Sequence, residues 1–268
     1  MSPHIKRWIS AIIAIPILFA IIFYGSEVVF TVFIVLVILG AVLEYNRMVF
    51  NGGLTWEKWE GLLVALLIPL AVFSGDFRIV LAVISLSMLS VSFIFLLRIN
   101  SKSFDLVSVT KLVFGFMYIP LMLSHFILLR LSENGIIWIF FILVLAFSGD
   151  IAAYYVGKTI GKRKLSPLIS PGKTVEGTIG LFIGSVLGCA LFRYYFYPTL
   201  PIVHVVTLGI IGGILGQLGD LCESAIKRSS GVKDSGSLIL GHGGLLDRLD
   251  CLIFIVPFVY YYQLFLIT

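Results

Sequence analysis

Between Asp220 and Asp250, carboxylates and cations surround a glycine-rich turn and are flanked on both sides by apolar sequence. Asp220, Glu223, Ser224 and Lys227 recur at i, i+3, i+4 and i+7, which places them on one stripe of a helix. Asp247 and Asp250, three residues apart, open the next apolar run. Lys227, Arg228, Lys233 and Arg248 supply positive charge. The run Gly241, His242, Gly243, Gly244 has the backbone freedom to press N–H groups against an anion. Ionisable groups at the edge of apolar segments are costly, so such a cluster implies that something charged is handled there. Carboxylates from two helices mixed with Lys and Arg suit a Mg²⁺–phosphate site. Mg²⁺ takes oxygen ligands, usually one or two protein carboxylates, and completes its shell with water and phosphate.

A second polar patch runs from Asp150 to Glu176. Asp150 follows an apolar run and precedes a basic loop, GKRKLSPLISPGKTVEG, in which Lys164 and Lys173 lie. Ser170, Pro171, Gly172, Lys173 and Thr174 fall at the start of the next apolar segment. There the free N–H groups of a helix amino terminus favour a phosphate. The GKT triplet is not a nucleotide P-loop, because Pro167 stands where its first glycine must be. The bland alternative is a solvated basic loop with Thr174 as helix cap.

The elements that position these residues are membrane helices. The chain has 268 residues, 59% hydrophobic and only 12% charged, with mean hydropathy +1.09. A soluble domain carries about 25% charged residues. We expect an all-α polytopic integral membrane protein with about nine transmembrane helices, near 8–24, 28–46, 60–74, 78–97, 112–130, 136–157, 175–197, 202–226 and 249–267. The runs are continuously apolar rather than alternating, which disfavours a β-barrel. Nine spans put Lys6, Arg7, Arg47, Lys58, Arg98, Lys102, Lys111, Lys158, Lys162, Arg163, Lys164, Lys173, Lys227, Arg228, Lys233 and Arg248 on one face. Only Arg78, Arg130 and Arg193 fall on the other. The crowded face is then cytoplasmic. The amino terminus and the polar ends of the carboxyl-terminal helices lie there, and the carboxyl terminus lies outside. The net charge of +5 is a topology signal, and no nucleic-acid partner is expected.

The whole chain, 1–268, reads as a single transmembrane domain, with 1–135 as scaffold and oligomerisation helices and 136–268 bearing the chemistry. Lys6 and Arg7 before an apolar run resemble a signal peptide, but no small-residue cleavage site follows, so an uncleaved anchor is expected. Cys189, Cys222 and Cys251 suggest buried thiols rather than a disulfide framework. His125 and His204 read as structural. Glu44 is explained by pairing with Arg47 at i+3.

The stretch SAIKRSSGVKDSGSLILGHGGLLDRLD, Ser224 to Asp250, closely resembles the signature of phosphatidate cytidylyltransferases. GDLCESAIKR before it, and Asp150 to Tyr154 with LSPLISPGKTVEG, also look like segments of that family. Leu240 departs from the pattern, which prefers Pro or Gly there. The resemblance implies transfer of a cytidylyl group from CTP to phosphatidate in phospholipid synthesis, giving CDP-diacylglycerol and pyrophosphate. It implies an inner or plasma membrane location and Mg²⁺ held by Asp220 and Asp247. Asp250 and Glu223 are further ligands or support them, with room for a second cation. Lys173, Lys227, Arg228 and Arg248 would neutralise phosphates, and Gly243 and Gly244 would cradle them. Lys233, Asp234 and His242 would set the loop, and Asp150, Ser170, Thr174 and Ser224 would complete the pocket. A homodimer is a further expectation. The rival class is a secondary transporter or anion channel. The D-G-x2-A-R pattern of CDP-alcohol phosphotransferases is absent from the sequence.

Overall fold

The structure, a computed structural model, describes residues 3–50, 56–98, 105–238 and 243–267, with backbone alone for 3–11, 13, 56 and 57. Helix dominates: 81% of the described residues are helical. In chain order the elements are α1 (Pro3–Tyr24), α2 (Glu27–Val49), α3 (Trp56–Phe73), α4 (Phe77–Leu97), α5 (Leu106–Phe116), α6 (His125–Leu131), α7 (Gly135–Ile160), β1 (Lys164–Ser166), β2 (Ser170–Thr174), α8 (Val175–Phe196), α9 (Ile202–Ser229) and α10 (Asp250–Leu266).

Each of the nine expected apolar segments coincides with helix, and length and composition support part of the expected count of spans. Among the described residues, six stretches are long and apolar enough to cross a bilayer: Glu27–Val49, Phe77–Leu97, Leu106–Leu131, Gly135–Ile160, Val175–Phe196 and Ile202–Ser229. Asp250–Leu266 is a shorter apolar helix, and Ala14–Tyr24 is the apolar part of α1 among the described side chains. At 1.5 Å rise per residue, a helix needs about 20 residues to span the ~30 Å hydrocarbon layer. The stretch Leu106–Leu131 is not one regular helix. A π turn, Met117–Leu121, joins α5 to α6 around Pro120, which has no N–H to give. Ser124 Oγ donates to the Pro120 carbonyl at 2.6 Å, occupying an acceptor in the irregular stretch.

The chain divides into two compact units, Met1–Leu131 with Asp234–Asp247, and Ser132–Lys233 with Arg248–Thr268. In the first, Ile38, Ala41 and Tyr45 of α2 are buried together with Ala65 and Ile68 of α3. Polar ties fix the helix ends. Tyr45 Oη donates to the Lys111 carbonyl at 2.8 Å, and Arg130 Nη2 to the Gly25 carbonyl at 2.6 Å. Asp105 caps α5 by accepting from Ser108 N and Oγ, and these bonds hold its carboxyl below the usual range.

In the second unit, α7 and α8 meet through small residues. A Cβ on Gly180 would meet Val156, one on Gly184 would meet Ala152, and one on Gly188 would meet Ser148. Three glycines at i, i+4 and i+8 therefore face an antiparallel row at the same spacing, and dispersion between close backbones replaces the hydrophobic effect that lipid cannot supply. Gly184→Val is expected to lower stability by about 1–3 kcal/mol through overpacking, read as a lower thermal unfolding midpoint in detergent.

The connection from α7 to α8 is a departure from the all-helical expectation. β1 and β2 pair antiparallel, Lys164 opposite Thr174 and Ser166 opposite Ser170, with a bulge between the two pairs. Glu176 in the first turn of α8 accepts from the N–H groups of Lys162 and Arg163 at 3.0 and 3.2 Å. One carboxylate thus ties the hairpin's entry to the helix that follows it.

Candidate active site

Three helices of the second unit each bring one carboxylate to the same place. Asp150 lies in α7, Asp220 in α9, and Asp250 opens α10. Lys173 of β2 joins them, its Nζ 2.5 Å from Asp220 Oδ2. The charges acting on Asp150 are those of Asp220, Lys173 and Arg248; those acting on Asp250 are Asp220, Asp150 and Lys173. Glycine permits the convergence. A Cβ on Gly219 would strike the Asp250 carbonyl oxygen, and one on Gly216 would come within 2.9 Å of Ile255. The α9 backbone therefore runs against the start of α10 with no side chain between them.

The α9 stripe resolves into two i, i+4 pairs. Ser224 Oγ donates to Asp220 Oδ1 at 3.3 Å, and Lys227 Nζ lies 2.5 Å from Glu223 Oε2. Glu223 is fully buried and the Lys227 side chain is 12% exposed, so this ion pair sits inside the helix packing. Asp220, with 35% of its side chain exposed, is the open member of the stripe. Arg228 turns to the backbone: Nη1 donates to the Val232 carbonyl at 3.1 Å and Nε to that of Ile169 at 3.4 Å. Thr174 caps α8, its hydroxyl accepting from Gly177 N at 3.1 Å and lying near Gly157 and Gly161. Ser170 begins β2, and Lys164, Lys233 and Arg248 are exposed.

The glycine-rich turn and Asp247 belong to the first unit, as does the exposed Asp234. Asp247 Oδ2 accepts from Gly244 N at 2.9 Å and from Ser235 N at 3.2 Å. The Gly244 N–H, expected to cradle phosphate, is thereby committed to Asp247. Gly243 has φ +85°, in the region that favours glycine, and this allows the chain to turn tightly onto Asp247. His242 and Gly241 lie outside the described residues.

Sequence reasoning missed Glu44. It makes no ion pair with Arg47 among the described residues. It is 1% exposed and accepts from Ser235 Oγ, Leu238 N and Leu246 N. The signal was available, since a carboxylate inside a 23-residue apolar helix calls for a specific partner. Glu176 was also missed, being read only as the end of a basic loop.

Among the described residues, no group of three or more His, Cys, Asp or Glu gathers tightly enough to form a metal cage. The second unit's donors still suit a hard cation. Asp150, Asp220 and Asp250 offer only oxygen, and Lys173 lies at ion-pair distance from Asp220. One or two carboxylates with phosphate and water is the usual Mg²⁺ arrangement. Cys189, Cys222 and Cys251 form no disulfide among the described residues.

Comparison with known proteins gives a consistent result. The family model described as the cytidylyltransferase family matches residues 5–266. A phosphatidate cytidylyltransferase of Bacillus subtilis is 41% identical over 163 residues, 60% of each chain. One from Staphylococcus epidermidis is 33% identical over 94% of this chain and 95% of its own. One from Synechocystis is 32% identical over 98% and 97%. With the Bacillus and Haemophilus influenzae relatives, the matched stretch spans under two thirds of the relative's length.

Proposed function

The chain belongs to the cytidylyltransferase family, and from that premise we propose that it is a phosphatidate cytidylyltransferase. It transfers the cytidylyl group of CTP to phosphatidate in the bilayer and releases pyrophosphate. The observation that carries this reading is the meeting of Asp150, Asp220 and Asp250 with Lys173, in the later part of α7 and α9 and at the start of α10. That is a place where a lipid phosphate and a nucleotide can both reach charged groups.

In the reaction, a phosphatidate oxygen forms a bond to the α-phosphorus of CTP. The bond from that phosphorus to the bridging oxygen breaks, and its electron pair leaves with pyrophosphate. A phosphate monoester has its second pKa at about 6 and is largely a dianion at neutral pH, so no strong base is required. The difficulty is apposing two polyanions, which positioning and charge neutralisation overcome. Lys173 and the exposed Arg248 neutralise phosphate. The buried Lys227–Glu223 pair fixes the last turns of α9 beneath Asp220. Asp220 is the residue we propose for Mg²⁺ in the second unit, supported by Asp250 and Asp150, and Asp247 is the ligand we propose in the first. When bound, Mg²⁺ neutralises phosphate oxygens and orients them. The site faces the cytoplasm, and the acyl chains remain in lipid.

Purified full-length protein with labelled CTP, phosphatidate and Mg²⁺ is expected to give a chloroform-soluble cytidine product. Omitting the lipid, or chelating the metal, is expected to stop it. Flux of an anion across sealed vesicles with no nucleotide consumed would replace this reading with a transporter.

A further inference from the structure

We propose that Glu44 is a positioning residue that sets the loop bearing Asp247, acting through Ser235; its catalytic consequence rests on the transferase reading above. Glu44 and residues 234–247 belong to one compact unit. Glu44 Oε2 accepts from Leu246 N at 2.9 Å and from Ser235 Oγ at 3.2 Å, and Oε1 accepts from Leu238 N at 3.4 Å. The Ser235 hydroxyl, donating its hydrogen bond to Glu44, accepts from Asp247 N at 3.3 Å, while Ser235 N donates back to the Asp247 carboxylate. A directed relay therefore runs from Glu44 through Ser235 to both the backbone and the side chain of Asp247.

Among the described residues, the three groups bonded to Glu44 are all donors, so the position calls for an acceptor at both oxygens. A carboxylate supplies that, whereas an amide turns one end into a donor facing a donor. The loop is shaped around this side chain. A Cβ on Gly236 would overlap Glu44 Oε1, and one on Gly244 would overlap Ser235 Oγ and come within 2.6 Å of Glu44 Oε2. Two glycines of the signature stretch are thus explained by contact with a residue of α2. Glu44 reaches Asp247 through the relay, which makes it a supporting group; such groups typically cost 10- to 100-fold in activity or metal affinity when removed.

The test uses Glu44→Gln, Ser235→Ala and the double variant in purified full-length protein. Amide hydrogen exchange is expected to quicken at Leu238, Gly244 and Leu246 in Glu44→Gln, with α9 unchanged. In the transfer assay, kcat is expected to fall on the order of 10- to 100-fold with little change in KM for CTP, since Glu44 is buried. The double variant is expected to lose no more than the worse single one, because both residues act in one relay. Unchanged exchange in the loop, or losses that multiply, would overturn the assignment. A wild-type chain that forms no CDP-diacylglycerol would sink the transferase reading, while exchange would still decide whether Glu44 sets the loop.

Discussion

Asp220→Asn is expected to cut cytidylyl transfer on the order of 10²- to 10³-fold, the scale of losing one preorganised electrostatic group. Membrane insertion and thermal stability are expected to stay near those of the parent chain. Asp220 is the most open acid of the α9 stripe and the partner of Lys173. The amide keeps its shape and its contact with Ser224, but it removes the charge that holds Lys173 and that a divalent cation would use. Steady-state kinetics against both CTP and Mg²⁺ check this. Turnover within a few-fold of the parent would exclude Asp220 from the chemistry.

Asp247→Asn is expected to lose activity on the same scale, with an added signature. Its Oδ2 accepts from Gly244 N and Ser235 N and its Oδ1 from Ser235 N at 3.4 Å, so an amide sets its NH2 against one of these N–H donors. Exchange in residues 235–247 is therefore expected to quicken in this variant, and to stay unchanged in Asp220→Asn. The two substitutions separate loss of charge from loss of loop order.

The helical skeleton was legible because lipid demands long apolar runs, and every expected segment is helix in the structure. The α9 stripe was legible for a similar reason: Asp220, Glu223, Ser224 and Lys227 obey the helical period, and period alone fixes a face. What the stripe could not reveal is that Glu223 and Lys227 are spent on each other in the packing. The β1–β2 hairpin escaped notice because strands of three and five residues in a basic, proline-containing loop show no alternation to read. The π turn escaped because Pro120 sits in an otherwise unbroken apolar run. Glu44 was assigned to Arg47, the nearest cation in sequence, whereas its partners lie some 200 positions later. Local spacing holds no information about such a pairing.

The relay on Glu44 also bears on how the chain is made. Its hydroxyl donor, Ser235, is 191 residues downstream. At ordinary translation speeds of about 5–20 residues per second, that interval is roughly 10–40 s. Throughout it, the nascent α2 holds an acidic side chain without the three donors that later enclose it, in surroundings where an unsatisfied charge is costly. Biogenesis thus has a built-in waiting period, ended only when the segment before the last helix has been synthesised.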